Sequence, residues 1–438
     1  MGKPFHLGWF LQGSSAQAWG EAWTGHIGTT WMQPTLFLDL ARTLERACFD
    51  YILIEDSSYV GESWAGSTDI YLKSGIAVPR QDPSVVASLM TAVTSRIGIV
   101  PTFGTYAYPP YLLARLMATL DQVSAGRAGW NMVTGSSDYA AMNFGMPGMP
   151  EHDLRYDMAD EYLEVVNGLW DSWEPGAIIA DSETGTLVDS AKVHAVNYEG
   201  QWFKTRGPLN SGPCVQGRPV IAQAGGSPRG REFAARHADT IVSHPKGIGA
   251  MKAYRDDVRC RMAAHGRDPD RCKVLYLVAP ILGETEAEAQ EHKRMRAARA
   301  AVQIEQRLAH FGKTLNIDFS VFDLDQSMEG VELTTNGHQQ NLEQFLRMAG
   351  NRTLRQVMAD YSATGLSVEL VGTPDSVAAR MGEVMAEVGG DGYLFSLPNV
   401  SRRTLAEIED GLVPALQRRG LARKAYTYPQ FRDNLLEF

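Results

Sequence analysis

Cysteine is scarce in this chain: there are four in 438 residues, Cys48, Cys214, Cys260 and Cys272, and none form a Cys-x-x-Cys pair. That scatter argues against a disulfide framework or a zinc site and for reduced thiols in a cytoplasmic protein. No apolar run is long enough to span a bilayer. The N-terminus, Met-Gly-Lys-Pro-Phe-His-Leu-Gly-Trp-Phe, lacks the apolar stretch and small-residue cleavage site of a signal peptide. Positive charge is also in deficit, with 41 Lys and Arg against 51 Asp and Glu and a formal net charge of -10. A general nucleic-acid or anionic-membrane binder is thereby disfavoured, since its affinity rests on clustered cations, but a local basic pocket is not. Several active-site signatures are missing too. No Gly-x-Gly-x-x-Gly turn follows the first strand, and there is no phosphate-binding Gly-x-x-x-x-Gly-Lys-Ser/Thr loop. There is no His-Glu-x-x-His pair or tight His/Asp cluster, so no metal is expected, and no Gly-x-Ser-x-Gly nucleophile turn.

What is present is a regular alternation. Apolar strand-like runs fall at 6–11, 49–56, 96–103, 128–134, 218–224, 237–243, 273–280 and 391–396. Helical periodicity lies between or after them, at 35–48, 84–94, 111–123, 154–170, 228–236, 248–265, 374–388 and 402–419. Eight such units predict a (β/α)8 TIM barrel, although a doubly wound sheet uses the same units. We expect a single domain over 1–438 with two insertions. The first, after strand four, covers 173–214 and holds a small hairpin near 196–204; the second, 282–372, lies between strands seven and eight. The second reads as mostly helical, at 286–311 and 339–361, and is a candidate lid because insertions on such loops carry function.

Two stretches look suited to anions. In Glu151–Trp170, Asp153 is the expected N-cap, and His152, Arg155 and Tyr156 gather at the helix start, where free N–H groups and the helix dipole favour negative charge. A capped surface helix explains the same residues. Gly225-Gly226-Ser227 stands between a strand and a helix, as a phosphate cradle would, though Gly-Gly turns before helices are common. In a barrel the loops after strands four and five are neighbours, so the two arrangements reinforce one another. Asp56 and Thr102 end strands two and three, where barrel enzymes place chemistry; strand-end capping is the plainer reading, and Asn131 and Thr134 share that ambiguity. Trp9, Phe10, Trp19, Trp23, Tyr59 and Trp64 could line an apolar substrate pocket or simply pack the loops. Lys73 and Arg80 could meet a carboxylate, though solvated surface charge is the plainer reading.

Taken together, Thr102, the Tyr-Pro-Pro-Tyr111 run, Thr119–Thr134, Asn143-Phe-Gly145, Glu151–Tyr156, Ala222–Ser227 and Arg229–Ala234 resemble the bacterial luciferase-like flavin monooxygenases, in the subgroup of nitrilotriacetate monooxygenase component A with the EDTA, dibenzothiophene-sulfone and long-chain alkane monooxygenases. The resemblance covers nearly the full length. It implies a TIM-barrel oxygenase that takes FMN as FMNH2 from a separate NAD(P)H-dependent flavin reductase, uses O2 on a small-molecule substrate, and assembles as a homo-oligomer, dimer or tetramer. By motif match it puts Asp56 and Thr102 by the flavin ring or ribityl chain, and His152, Arg155, Tyr156, Ala224, Gly225 and Ser227 around the ribityl chain and phosphate. The chain departs from alkane-type relatives at Gly135-Ser136-Ser137, where they carry Ser-His, and at Ser14, where the alkane enzyme has Cys. Ser136 is the substitute near the flavin, and His310 matches a His that could face the pocket; these two are the catalytic candidates. Two other readings stay open, a deazaflavin (F420)-dependent oxidoreductase on the same barrel and a flavin-binding relative without turnover.

Overall fold

Eight strands close into a barrel in which every neighbouring pair is parallel: β1 His6–Gln12, β2 Tyr51–Glu55, β3 Gly98–Gly104, β4 Gly129–Val133, β5 Val220–Gln223, β6 Thr240–Ser243, β7 Lys273–Val278 and β8 Gly392–Phe395. The order around the barrel is the chain order, and β8 meets β1 at His6–Gly392 through Trp9–Phe395. The structure, a computed structural model, describes residues 3–12, 33–363, 367–397 and 400–438. Ser14, Trp19 and Trp23 lie outside the described residues.

Each strand alternates its side chains between two cores. Tyr51, Leu53, Val100, Val220, Ala222, Val242, Leu275 and Leu394 point inward and fill the barrel. Trp9, Ile52, Ile54, Ile99, Trp130, Ile241, Val274 and Tyr393 point outward against the helices. This two-sided burial is why the strands read as continuous apolar runs. The floor of the barrel is plugged by Phe431 and Leu435 from the last short helix, Phe431–Leu435. Phe431 fits because Gly98 and Gly129 have no side chain; a Cβ on Gly98 would stand 2.7 Å from its ring. Trp9 belongs to the outer core, stacked with Phe395, so it lines no substrate pocket.

The helices begin largely where proline and capping residues put them. Asp82 accepts from Ser84 N at the start of Pro83–Thr91, and Thr373 does the same from Ser376 N for Pro374–Val388. Two expectations are corrected, and one element is new. The long helix after β4 is His152–Trp170 with Glu151 at its N-cap position; Asp153 lies inside the first turn, its carboxylate taken by His152 Nδ1 at 2.6 Å. The segment 402–419 is not one α-helix but widens into a π turn at Glu407–Leu412, just before Pro414, which has no N–H to continue the ladder. The loop after β2 contains a short helix, Asp69–Ser74, whose Tyr71 is buried.

The first insertion carries the expected hairpin, Tyr198–Glu199 against Lys204–Thr205, and a second, Ile178–Asp181 against Thr186–Val188. Glu161 of the long helix ties the former down by accepting from Trp202 N at 3.0 Å and Phe203 N at 2.8 Å. The second insertion is helical but more broken than its periodicity indicates: Glu286–Val302, Ile304–Leu315, Gln339–Ala349 and Leu354–Ala363. Gly350, at φ 49°, ψ -130°, adopts a conformation that ends the third helix and that other residues avoid. This insertion builds a core of its own around Leu308, Phe311, Phe319, Phe345 and Val357, which Trp64 joins from the loop after β2. No helix among the described residues is long and apolar enough to cross a membrane. Cys48, Cys214, Cys260 and Cys272 are free thiols.

A buried ionic knot fastens the chain ends below the barrel. The Asp50 carboxylate accepts from His6 Nδ1 at 2.8 Å, Leu7 N at 2.8 Å and Arg423 Nη2 at 2.6 Å, and Arg423 also donates to Asn434 O at 2.8 Å. Burial pushes the Asp50 carboxyl up, but His6, Arg423 and the hydrogen bonds outweigh it and hold the group below its ordinary value. A carboxyl depressed in the folded state stabilises fully above its unfolded pKa, and that stabilisation is lost as pH falls through the folded value. We therefore expect Asp50→Asn to cost about 3–5 kcal/mol at neutral pH, because it strands Arg423. The gap to wild type should narrow below about pH 4, where the unfolded carboxyl protonates. Urea melts at neutral and acid pH check both statements; an undiminished gap in acid would contradict them.

Candidate functional site

Because all eight strands run the same way, their C-terminal ends and following loops share one rim. A cavity of about 330 Å3 opens there. Its floor is Phe10, Val242 and Leu277 from β1, β6 and β7. Its walls are barrel residues on one side and Lys313, Thr314 and Gly337–Asn341 of the second insertion on the other.

The end above β4 and β5 gathers most of the anion candidates. His152, Arg155, Tyr156, Ala224, Gly226 and Ser227 all line the cavity. Ser227 caps the helix Pro228–His237, its Oγ accepting from Gly230 N at 3.0 Å. Gly225 does not line the cavity; it supports the turn from behind. A Cβ there would stand 2.3 Å from Gly230 O, so backbone packs directly on backbone. Gly226 does face inward, and Gln340 of the insertion sits against it, where any Cβ would collide. Arg155 is buried and turned toward the insertion: Nη2 donates to Asn336 O at 2.8 Å and Nη1 to Pro150 O at 2.6 Å, while Nε has no partner. Tyr156 lies edge-on to His152, ring centroids 5.2 Å apart, with Gln223 Nε2 at 3.5 Å from its hydroxyl. Arg229 turns outward to Asp157 and Asp160 instead.

The strand ends form the second region. Thr102 Oγ1 donates to Ile54 O at 2.6 Å and accepts from Asn131 Nδ2 at 2.8 Å, so part of its role is strand-end capping. Asn131 Oδ1 and Gln223 Oε1 are buried with no partner. Asp56 lines the cavity, and burial, aided by Glu55 and opposed by Arg80, pushes its carboxyl up to about 6. Arg80 is not surface charge: its side chain is 10% exposed and pairs with Glu55 at 2.5 Å. Lys73 is exposed. Phe10 and Tyr59 are the loop aromatics that line the cavity.

Of the two catalytic candidates, Ser136 lines the cavity, as do Ser137 and Lys313. His310 is outside that lining, on the helix Ile304–Leu315, and keeps a solvent-accessible surface. The protein about it and the nearby Lys313 push its imidazole down.

Sequence reasoning missed Lys313, Gln223, His244, His338, Gln340 and Asn341, all of which line the cavity. Lys313 is buried, donates to Ser57 Oγ at 3.0 Å and stands 3.9 Å from the centre of the Tyr59 ring. It gave no local signal, because with Arg307 and His310 it falls on the polar face of its helix, opposite Leu308, Phe311 and Leu315. The remaining insertion residues carry no local signal, because only the fold brings them to the rim. His244 pairs with Asn341 Oδ1 at 2.8 Å, and burial lowers its pKa. His338 lines the same wall. Among the described residues no group of three or more His, Cys, Asp or Glu could hold a metal.

Comparison with known proteins fits this architecture. The luciferase-like monooxygenase family profile matches residues 6–392. Dibenzothiophene-sulfone monooxygenase of Rhodococcus erythropolis (strain XP) is 35% identical over 441 residues, 99% of this chain and 96% of the relative. Nitrilotriacetate monooxygenase component A of Aminobacter aminovorans is 35% identical, covering 91% of this chain and 89% of that one. Among solved structures, riboflavin lyase with modified FMN and substrate riboflavin superposes with a TM-score of 0.88 at 30% identity, over 100% of this chain and 96% of that one. A match that runs from β1 to β8, with relatives aligned nearly end to end, makes this chain a member of the luciferase-like monooxygenase family.

Proposed function

We propose that the chain is the oxygenating component of a two-component system: it takes reduced FMN from a separate NAD(P)H-dependent flavin reductase and uses O2 to oxygenate a small organic substrate. One observation carries this reading. A single cavity joins an anion cradle at a helix N-terminus to a polar strand-end region and a closed, mostly apolar floor. The component A label of one relative and the FMN in another's structure support it.

The residues present fit a flavin. Arg155 Nε, Gln223 Oε1 and Asn131 Oδ1 are buried around the cavity without partners. A buried polar atom left unmet costs about 1–3 kcal/mol, which a ligand's polar groups would offset. Arg155, Tyr156, Ser227 and the Gly226 backbone would hold the phosphate, with His152 and Ala224 beside the ribityl chain and Gly225 shaping the turn. Asp56, Thr102, Asn131 and Gln223 would meet the ring's polar edge. When bound, reduced flavin supplies the reaction with oxygen. The chain's own contribution is to fix position, keep water out with Phe10, Val242 and Leu277, and set local charge. Ser136 can donate a hydrogen bond at the rim. The insertion 282–372 acts as a lid, since its residues 313–341 already close one wall.

We expect Arg155→Gln to weaken FMN binding by about tenfold or more, the loss of a charge-assisted phosphate contact. Riboflavin, which lacks the phosphate, should bind the variant within about twofold of wild type on the same scale. Parallel fluorescence titrations decide this, and an equal loss for both ligands would remove the phosphate from this end. We also expect the purified chain to consume oxygen with reduced FMN, to leave NADH untouched until a flavin reductase is added, and to show no F420 affinity. Efficient NADH oxidation by the chain alone would overturn the two-component reading. An unaltered rate and product of flavin reoxidation across a substrate screen would instead favour a relative without turnover.

A further inference from the structure

Tyr156 can meet a phosphate only if its ring is held in place, because the hydroxyl sits at the far end of a side chain with two torsions. The ring is boxed in. His152 lies edge-on to it, centroids 5.2 Å apart, and Phe233 is tilted against it at 5.6 Å. The hydroxyl rests on the bare face of Gly230: a Cβ there would stand 2.7 Å from it and 3.1 Å from Ser227 Oγ. Glycine weakens a helix relative to alanine, and the space it leaves for the phenol accounts for it here.

The remaining cover is Arg229. Its guanidinium lies 5.6 Å from the centre of the Tyr156 ring, and a cation is drawn to the negative face of an aromatic ring. Arg229 does not line the cavity. Its Nη2 donates instead to Asp157 Oδ1 at 2.8 Å and to Asp160 Oδ2 at 2.7 Å. Asp160 is the shared anchor, since it also accepts from Arg236 Nη1 at 3.1 Å and pairs with His237 Nε2 at 2.6 Å. An isolated exposed ion pair contributes little, but this is a network of several charges in which Arg229 is 19% exposed and Asp160 15%. Its place in the chain matters as much as its strength. Asp157 follows Tyr156 on the helix His152–Trp170, and Arg229 comes two residues after the cap Ser227 on the helix Pro228–His237. The network therefore fastens together the two helices whose starts form the cradle.

We propose that Arg229, anchored by Asp160, is a positioning residue for the flavin phosphate: it holds the Tyr156 ring so that the hydroxyl stays at the cradle beside Ser227. This rests on the flavin reading, which puts the phosphate at this end of the cavity. The charge of Arg229 is spent on Asp157 and Asp160, so its effect passes through the phenol. It thereby sharpens the discrimination between a flavin that carries a phosphate and one that does not.

The test titrates the full chain with FMN and with riboflavin, following flavin fluorescence, and reads the ratio of the two affinities. A variant that only loosens the fold weakens both flavins and leaves that ratio unchanged. Arg229→Met should weaken FMN about fivefold, the scale of a partly desolvated cation–π contact, and riboflavin by less than about twofold. Tyr156→Phe removes the hydroxyl and should lower the ratio too. Arg229→Met added to Tyr156→Phe should then lower it no further, because the group that Arg229 positions is gone. Asp160→Ala is an independent handle on a different helix. It should also lower the ratio, whereas on charge alone the loss of a carboxylate near the cradle would raise it. An equal loss for both flavins in Arg229→Met, the same loss with and without the Tyr156 hydroxyl, or a raised ratio in Asp160→Ala overturns the proposal. If the wild-type chain binds riboflavin as tightly as FMN, the phosphate reading fails and the proposal with it. A wild-type preference for FMN that survives Arg229→Met overturns the proposal alone.

Discussion

Parallel closure of eight strands is the constraint on which the rest depends. Once β8 pairs with β1, no strand edge remains, and every strand delivers its C-terminal end to the same rim. Residues distant in sequence, from Asp56 after β2 to His244 after β6, then share one cavity without any of them having to move the backbone. Closure also divides the labour between ends. At the lower end Phe431 seals the barrel and the Asp50–Arg423 knot pins the chain termini, which is stability without chemistry. At the upper end polar and charged groups stay unpaired or half-paired, which is tolerable only because the lower end and the two cores hold the scaffold.

The upper end also depends on the second insertion. A barrel rim alone is an open bowl, in which a buried ammonium or an unpaired guanidinium would be hydrated and chemically ordinary. The insertion brings Lys313, His338 and Gln340 down as a wall, and burial then moves Asp56 up to about 6 and Lys313 down to about 8. Shifts in opposite directions, on groups a few residues from one rim, arise from the same loss of water. The insertion can supply that enclosure because its own core, around Phe311, Phe319 and Phe345, makes it a packed unit and not a long loop.

Much of the barrel was legible because burial on both faces turns strands into apolar runs, and because proline and capping residues mark helix starts. The helix at Pro374–Val388 reads correctly to its ends, with Thr373, Pro374 and Gly389 as its signals. The errors have local physical causes that periodicity does not carry. Asp153 looked like a cap, yet Glu151 occupies the turn and Asp153 bonds to His152. Pro414 widens a helix ahead of itself, and Gly350 ends one that its apolar pattern would continue. For the site, the residues on strand ends and βα loops could be named because the barrel rule tells where strand ends go. Gln340 and Asn341 could not, since their place depends on how an insertion folds back over a rim. Arg80 shows the same limit from the other side: its surroundings, and not its residue type, make it a buried partner of Glu55.

Gln340 stands between the second insertion and the turn after β5. It rests against the Cα of Gly226, in space that any side chain on that residue would fill, and Asn336, four residues earlier, accepts from Arg155. The same short segment therefore touches both the Gly226 turn and Arg155, and its Asn341 holds His244. One stretch of backbone thus ties the loops after β4, β5 and β6 to the wall that the insertion builds over the strand ends.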